Sequence, residues 1–255
     1  MHAASAPVPP AARWRPPLLL KASAACHLGA AALAATAPAL WPWAVGAVAA
    51  NHALLTATGL WPRSTWLGPN VLRLPEAAAR RGEVALTLDD GPDPATTPQV
   101  LDILDAHGAR ATFFCIAAQA GQHPALVREI VRRGHSVQNH SLRHRHNFSL
   151  LGPAGLRREI GAAQDGLAQI TGQRPSCFRA PAGLRNPFLD PVLHALGLTL
   201  VSWTRRGFDT READPQAVLA RLTRGLAAGD ILLLHDRHGA TMADGRPVVL
   251  AALPA

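Results

Sequence analysis

The chain has no tyrosine, and its three cysteines, Cys26, Cys115 and Cys177, form neither a CxxC nor a CxxxC pair. An odd number of thiols so spaced argues against a disulfide framework and a zinc-thiolate site. Cys115 and Cys177 stand in apolar, strand-like runs and read as small core residues. No nucleic-acid motif is present. The formal charge is +8, but the arginines are spread along the chain instead of gathered in a stripe with stacking aromatics, so nucleic acid is not an expected partner. Anionic lipid head groups or a sugar phosphate suit the same charge.

The longest absence is of charge itself, since residues 22–62 contain no Asp, Glu, Lys or Arg. That exceeds the roughly 7–15 apolar residues of a signal-peptide core and is long enough to cross a bilayer twice. Pro38 and Pro42 fall near its middle beside Trp41 and Trp43, which suggests two membrane helices, 17–39 and 43–60, joined by a tight turn at an interface. The first is Ala-rich and carries Lys21 and His27, so a single span or a secretory signal competes with the hairpin. Arg13, Arg15 and Lys21 precede the block, and Arg63, Arg73, Arg80 and Arg81 follow it. By the positive-inside rule both flanks face the cytoplasm, which places the chain in a bacterial-type inner membrane with its main domain inside; an exported domain is the alternative. The chain then divides into a tail (1–16), a hairpin or signal anchor (17–62), a connector (63–82) whose terminal basic pair lies close to the membrane, and a catalytic domain (83–255).

At 255 residues and 48% hydrophobic, the chain holds one full-sized domain plus an appendage. Beyond Gly82 no repeat or low-complexity segment occurs, and short apolar runs alternate with longer amphipathic ones, a β-α rhythm that implies a mainly parallel sheet or barrel. Strands are expected at 84–88, 111–116, 136–138, 176–179, 199–203 and 231–234. Helices are expected at 97–107, 124–133, 153–170, 187–196 and 215–226.

Each polar cluster falls just after a strand: Asp89-Asp90-Gly91, His140 to His144, Arg179 to Gly183, Asp209, and His235-Asp236. In a β/α barrel that places them together at the carboxyl ends of the strands. Asp, Gly and Pro at 89–92 also suit an ordinary turn, but two adjacent inward carboxylates are costly without a cation. His140 and His144, four residues apart, can reach one ion, although HxxxH alone is a weak signal and His135 and His146 lie nearby. Two imidazoles and one carboxylate form a facial triad that leaves metal positions open for water and substrate. Leu233 and His235 are two apart on a strand and share a face.

In order, Thr87-Leu88-Asp89-Asp90-Gly91, His140-Ser141-Leu142-Arg143-His144, Arg179-Ala180-Pro181-Ala182-Gly183 and Leu233-Leu234-His235-Asp236 resemble the motifs of the polysaccharide deacetylases, carbohydrate esterase family 4 or NodB-homology domain, from about Val84 onward. The resemblance implies a distorted (β/α)7 barrel and one divalent ion, zinc or else cobalt, nickel or manganese, held by Asp90, His140 and His144. It implies Asp89 as general base, His235 as general acid, a backbone N–H at Ala182 for the oxyanion, and Leu233 shaping a pocket for the acyl methyl. Arg179 belongs to the third motif, and Asp209 can orient His235 or pair with Arg179.

The chain departs from the family pattern where Ala182 and Thr210 replace aromatics, which removes stacking surface for a long glycan. The sequence stops soon after His235, where the family adds a helix and strand, so either a truncated chain or a barrel left open is expected. The expected substrate is an N-acetylated amino sugar, short or lipid-linked. The alternatives are an exported deacetylase of peptidoglycan or a chitin-type polymer, and an inactive glycan- or lipid-binding membrane protein.

Overall fold

A computed structural model of the chain describes residues 13–254. Seven strands form one sheet: β1 (Ala85–Asp89), β2 (Ala111–Cys115), β3 (Ser136–Asn139), β4 (Cys177–Phe178), β5 (Thr199–Leu200), β6 (Arg205–Arg206) and β7 (Ile231–His235). Their order is β5-β4-β3-β2-β1-β7-β6, and every pairing is parallel. The two edge strands are consecutive in sequence. Only four residues separate Leu200 from Arg205, a span of at most about 17 Å, so the sheet must curl until its edges nearly meet. The result is the distorted barrel expected from the sequence.

Alternation along the strands divides the apolar residues between two faces. Leu88, Phe113 and Leu234 pack outward beneath the helices α4 (Thr97–Ala106), α6 (Pro124–Arg132), α7 (Pro153–Thr171) and α9 (Pro215–Thr223). Phe114, Trp203, Ile231 and Leu233 form a separate inner cluster. In register, Asp89 stands opposite both Phe114 and His235. The parity that buries Phe114 and Leu233 therefore turns Asp89 and His235 inward.

Several short elements escape sequence reading. The six-residue helix α5 (Ala117–Gln122) and the five-residue helix α3 (Glu76–Arg80) are too short to show a helical period, and β6 is a two-residue pairing inside a polar run. After β7 the chain returns as the short helix α10 (Val249–Ala252), whose Val249 and Leu250 join the outer core. The expected 199–203 strand ends at Leu200, and the chain beyond it crosses to the far edge of the sheet. The connector is part of the barrel, not a loose tether: Val71 bridges Val201 in parallel and Arg73 bridges Asp230 across the seam.

The uncharged block forms two helices, α1 (Leu18–Thr36) and α2 (Trp41–Leu60), joined by a 3-10 turn at Pro38–Leu40. Trp41 and Pro42 belong to α2, because proline is tolerated in a first turn, where its missing N–H has no partner to lose. Asn51 Nδ2 donates to Ser23 Oγ between the helices at 2.9 Å. Leu28, Trp43 and Val45 are exposed. Among the described residues α1 alone is long and apolar enough to cross a membrane, by length and composition.

The base of the hairpin docks on the loop after β4. The Arg185 N–H donates to the Gly59 carbonyl at 3.1 Å, and the Trp14 indole N–H to Asp190 Oδ2 at 2.7 Å. A Cβ on Gly59 would stand 2.3 Å from the Arg185 oxygen, so this contact requires glycine. Arg80 and Arg81 precede β1, at the opposite end of the strands from the polar clusters, and pair with Glu76 and Glu83.

Candidate active site

The clusters read from the sequence meet at the carboxyl ends of the strands, around a cavity of about 330 Å³ lined by Asp89, Asp90, His140, His144, Ala182, Leu233 and His235, among others. Strand ends aim these side chains, and strained loops finish the job. Among the described residues, six other than glycine have positive φ, namely Asp90, Ser141, His144, Ala182, Phe208 and His238. All lie in or beside the motifs, and such conformations persist only where surrounding contacts enforce them.

Asp90 Oδ1 lies 3.3 Å from Nε2 of both His140 and His144. That oxygen is buried and has no hydrogen-bond partner. One ligand atom from each residue falls within 4.8 Å of the others. The His140 Nδ1–H donates to the Arg179 carbonyl at 2.8 Å; because a carbonyl can only accept, the arrangement leaves Nε2 as the atom facing Asp90. An orphaned carboxylate oxygen between two imidazole nitrogens is a donor set that fits zinc or a similar divalent ion.

Electrostatics agree with that reading. Burial works to raise the Asp90 pKa, but the facing His140 and His238 imidazoles outweigh it and hold the carboxyl below its usual range. Burial likewise opposes charge on His140, yet Asp89 and Asp90 prevail and raise its pKa, while His144 is lowered by burial and by His140.

Asp89 sits beside this group with a different partner. Its Oδ1 accepts from Arg179 Nη1 at 2.7 Å, and its Oδ2 lies 3.8 Å from His140 Nε2. Arg179 is fully buried. Its remaining donors reach Thr87 Oγ1 and the carbonyls of Val201 and Ser202, and its guanidinium lies 4.1 Å from the Phe114 ring centre. Burial lowers the Arg179 pKa, and Asp89 opposes that loss.

Across the cavity, the Asp209 carboxylate accepts twice from His235, from its backbone N–H at 2.7 Å and from its Nδ1 at 2.9 Å. Of the two partners open to Asp209, it pairs with His235, and Arg179 pairs with Asp89. Burial acts to lower the His235 pKa, but Asp209, with Asp89 and Asp90 behind it, raises it overall. Asp236 is buried behind the first motif, accepts from Thr97 Oγ1 at 2.5 Å, and has its carboxyl pushed up to about 7 by burial.

Leu233 is buried in the cavity wall, and Ala182 lies at its rim with φ 53. Pro62, at the end of the hairpin, stands behind that wall, 2.7 Å from where a Cβ on Gly183 would be. The sequence reading missed His238, whose Nδ1 lies 3.3 Å from Asp90 Oδ2. Its place three residues past His235 was the one available signal, and in a histidine-rich chain that is weak. Trp203 also lines the cavity, so one aromatic wall remains despite Ala182 and Thr210.

Residues 76–201 match the polysaccharide deacetylase family. The peptidoglycan-N-acetylglucosamine deacetylase of Listeria monocytogenes is 32% identical over 177 residues, which is 69% of this chain and 37% of that protein. The chain thus spans little more than a third of that relative's length. The chitooligosaccharide deacetylase of Sinorhizobium fredii is 32% identical over 64% of this chain and 76% of its own. Among solved structures, a family 4 carbohydrate esterase from Streptomyces lividans in complex with acetate superposes with a TM-score of 0.61 at 37% identity, covering 68% of this chain and 84% of that one.

Proposed function

The chain belongs to the polysaccharide deacetylase family, and from that premise we propose that it hydrolyses the N-acetyl amide of an amino sugar with the help of a divalent ion. The observation that carries the reading is Asp90 Oδ1, buried, unbonded and facing two imidazole nitrogens, with Asp89 and His235 on the same cavity. The relatives bear the names of peptidoglycan-N-acetylglucosamine and chitooligosaccharide deacetylases, which supports an N-acetylglucosamine-type substrate.

Asp90, His140 and His144 are the ligands in this reading, and zinc is the ion their donors suit best. When bound, it supplies a Lewis acid for the amide carbonyl and the attacking water. Asp89 takes the water's proton. Its Oδ1 is tied to Arg179, which fixes the carboxylate in place. The Ala182 N–H at the rim serves the developing oxyanion. His235, with Nδ1 engaged by Asp209, offers Nε2 to the departing nitrogen and protonates it, without which an amine is a poor leaving group. Leu233 borders the acetyl methyl.

We place the reaction at a membrane surface. The long apolar helix and the docking of the hairpin base beside Gly183 support that placement, and the basic flanks favour the cytoplasmic side. The substrate is then a short or lipid-linked glycan, and an exported enzyme acting on a wall polymer is the competing reading.

Acetate release from N-acetylated oligosaccharides, with and without chelation, tests the chemistry. His140→Ala and His144→Ala should each abolish metal retention and hydrolysis, and full activity after chelation would sink the proposal. A C-terminal reporter active only in the cytoplasm tests the topology; activity from a periplasmic reporter instead would promote the wall-polymer reading.

A further inference from the structure

The cavity that holds the Asp-His-His group is also lined by Arg206 and Arg211. Two other arginines of this region are paired: Arg205 with Asp230 at 2.6 Å and Arg221, on α9, with Glu212 at 2.8 Å. Among the described residues, no carboxylate stands within ion-pair reach of Arg206 or Arg211, and the cavity's lining carboxylates are Asp89 and Asp90. Arg206 Nε is buried without a hydrogen-bond partner. Its guanidinium lies 5.6 Å from the Trp203 ring centre and 5.0 Å from that of Phe208.

Two consequences follow. The aromatic surface on which a neutral sugar would stack carries a cation. Two guanidinium groups also face the substrate space with donors unfilled, and planar, forked donors of this kind match phosphate oxygens. Beyond His144 an adjoining cavity is lined by Arg143, Arg237, His146 and His238 and by no carboxylate, so the approach to the site is positive on that side too.

We propose that Arg206 and Arg211 bind a phosphate group of the substrate, so that the site selects an amino sugar carrying a phosphate ester over a neutral glycan. This rests on the deacetylase reading and narrows it. A sugar joined to a membrane carrier through phosphate has this chemistry, with the charge near the reducing end and the acetamide within one ring of it. Arg206, clamped between Trp203 and Phe208, is the fixed half of the subsite. Arg211, exposed, closes on the ligand from the rim.

The test uses the full chain in nanodiscs of neutral phosphatidylcholine, with two probes, N-acetylglucosamine 1-phosphate and methyl N-acetylglucosaminide. Calorimetry should show the phosphate binding at least about tenfold more tightly, a preference that shrinks with salt. Arg211→Ala and Arg206→Gln should each remove most of it, and Arg128→Ala, an exposed change of equal charge on α6, should leave it intact. Equal affinities for the probes, or a preference that survives both substitutions, would overturn the proposal. So would an arginine-dependent association with phosphatidylglycerol vesicles and no sugar-phosphate preference, which would assign the pair to lipid head groups. Acetate release is followed in parallel: failure to release it from either probe, with the preference intact, would refute the hydrolase reading and leave the phosphate subsite standing.

Discussion

Asp209→Asn isolates what the Asp209–His235 pair contributes. The wild-type carboxylate accepts from two His235 donors, the backbone N–H at 2.7 Å and Nδ1 at 2.9 Å. An asparagine keeps one acceptor and turns an NH2 towards the other donor, so one of the two bonds must fail. The charge that raises the His235 pKa is lost as well, and burial, which acts in the opposite direction, then dominates. A charge-assisted hydrogen bond contributes about 1.5–3 kcal/mol. If that loss falls on the protonated form needed in the transition state, kcat/KM drops by about ten- to a hundredfold. The sign in pH is fixed. A general acid acts while protonated, so activity falls as pH rises through its pKa, and lowering that pKa moves the alkaline limb of the profile to lower pH. Stability carries the same signature, because a histidine with a raised folded pKa stabilises the fold below its unfolded pKa and loses that contribution as pH rises through the folded value. The assay is acetate release across pH on variant and wild type, with metal content measured in both. An alkaline limb that stays in place would refute the assignment of His235 as the acid, and metal loss would mean that the substitution disturbs more than the pair.

Asp89→Asn should retain the metal, since Asp90, His140 and His144 are untouched and an Asn Oδ1 can still accept from Arg179, while turnover falls by a hundredfold or more as the base disappears; metal loss in this variant, read by elemental analysis, would exchange the roles of the two aspartates. Gly91→Ala would set a Cβ 2.2 Å from Asp236 Oδ2, and relieving that overlap in a packed loop should cost about 1–3 kcal/mol, visible as a lowered Tm; an unchanged Tm would show that the first-motif loop is looser than these contacts imply. Gly59→Ala should loosen the hairpin from the barrel through the Arg185 carbonyl, raising protease sensitivity between residues 59 and 70, and an unaltered digestion pattern would count against rigid docking.

Sequence alone determined the chemistry-bearing residues and the repeating β-α order. Both are written in local terms: strand period, proline and glycine at helix ends, and polar clusters placed where strands stop. The Asp90, His140 and His144 group was legible because four motifs in order resemble the polysaccharide deacetylases, each of them a weak signal alone. Partnership was not legible. Asp209 had two candidate partners, and only the parallel pairing of β6 with β7, which brings the residues after β6 beside the end of β7, gave it to His235 and left Arg179 to Asp89. His238 became a neighbour of Asp90 through a positive-φ turn that no periodicity announces. The connector's place in the barrel was not legible, because a single bridge at Val71 and another at Arg73 are too short to leave a pattern. The pairing of Arg205 and Arg221, against the unpaired state of Arg206 and Arg211, is invisible in a run of like charges, because whether a guanidinium meets a carboxylate depends on which elements the fold packs together and not on its neighbours along the chain.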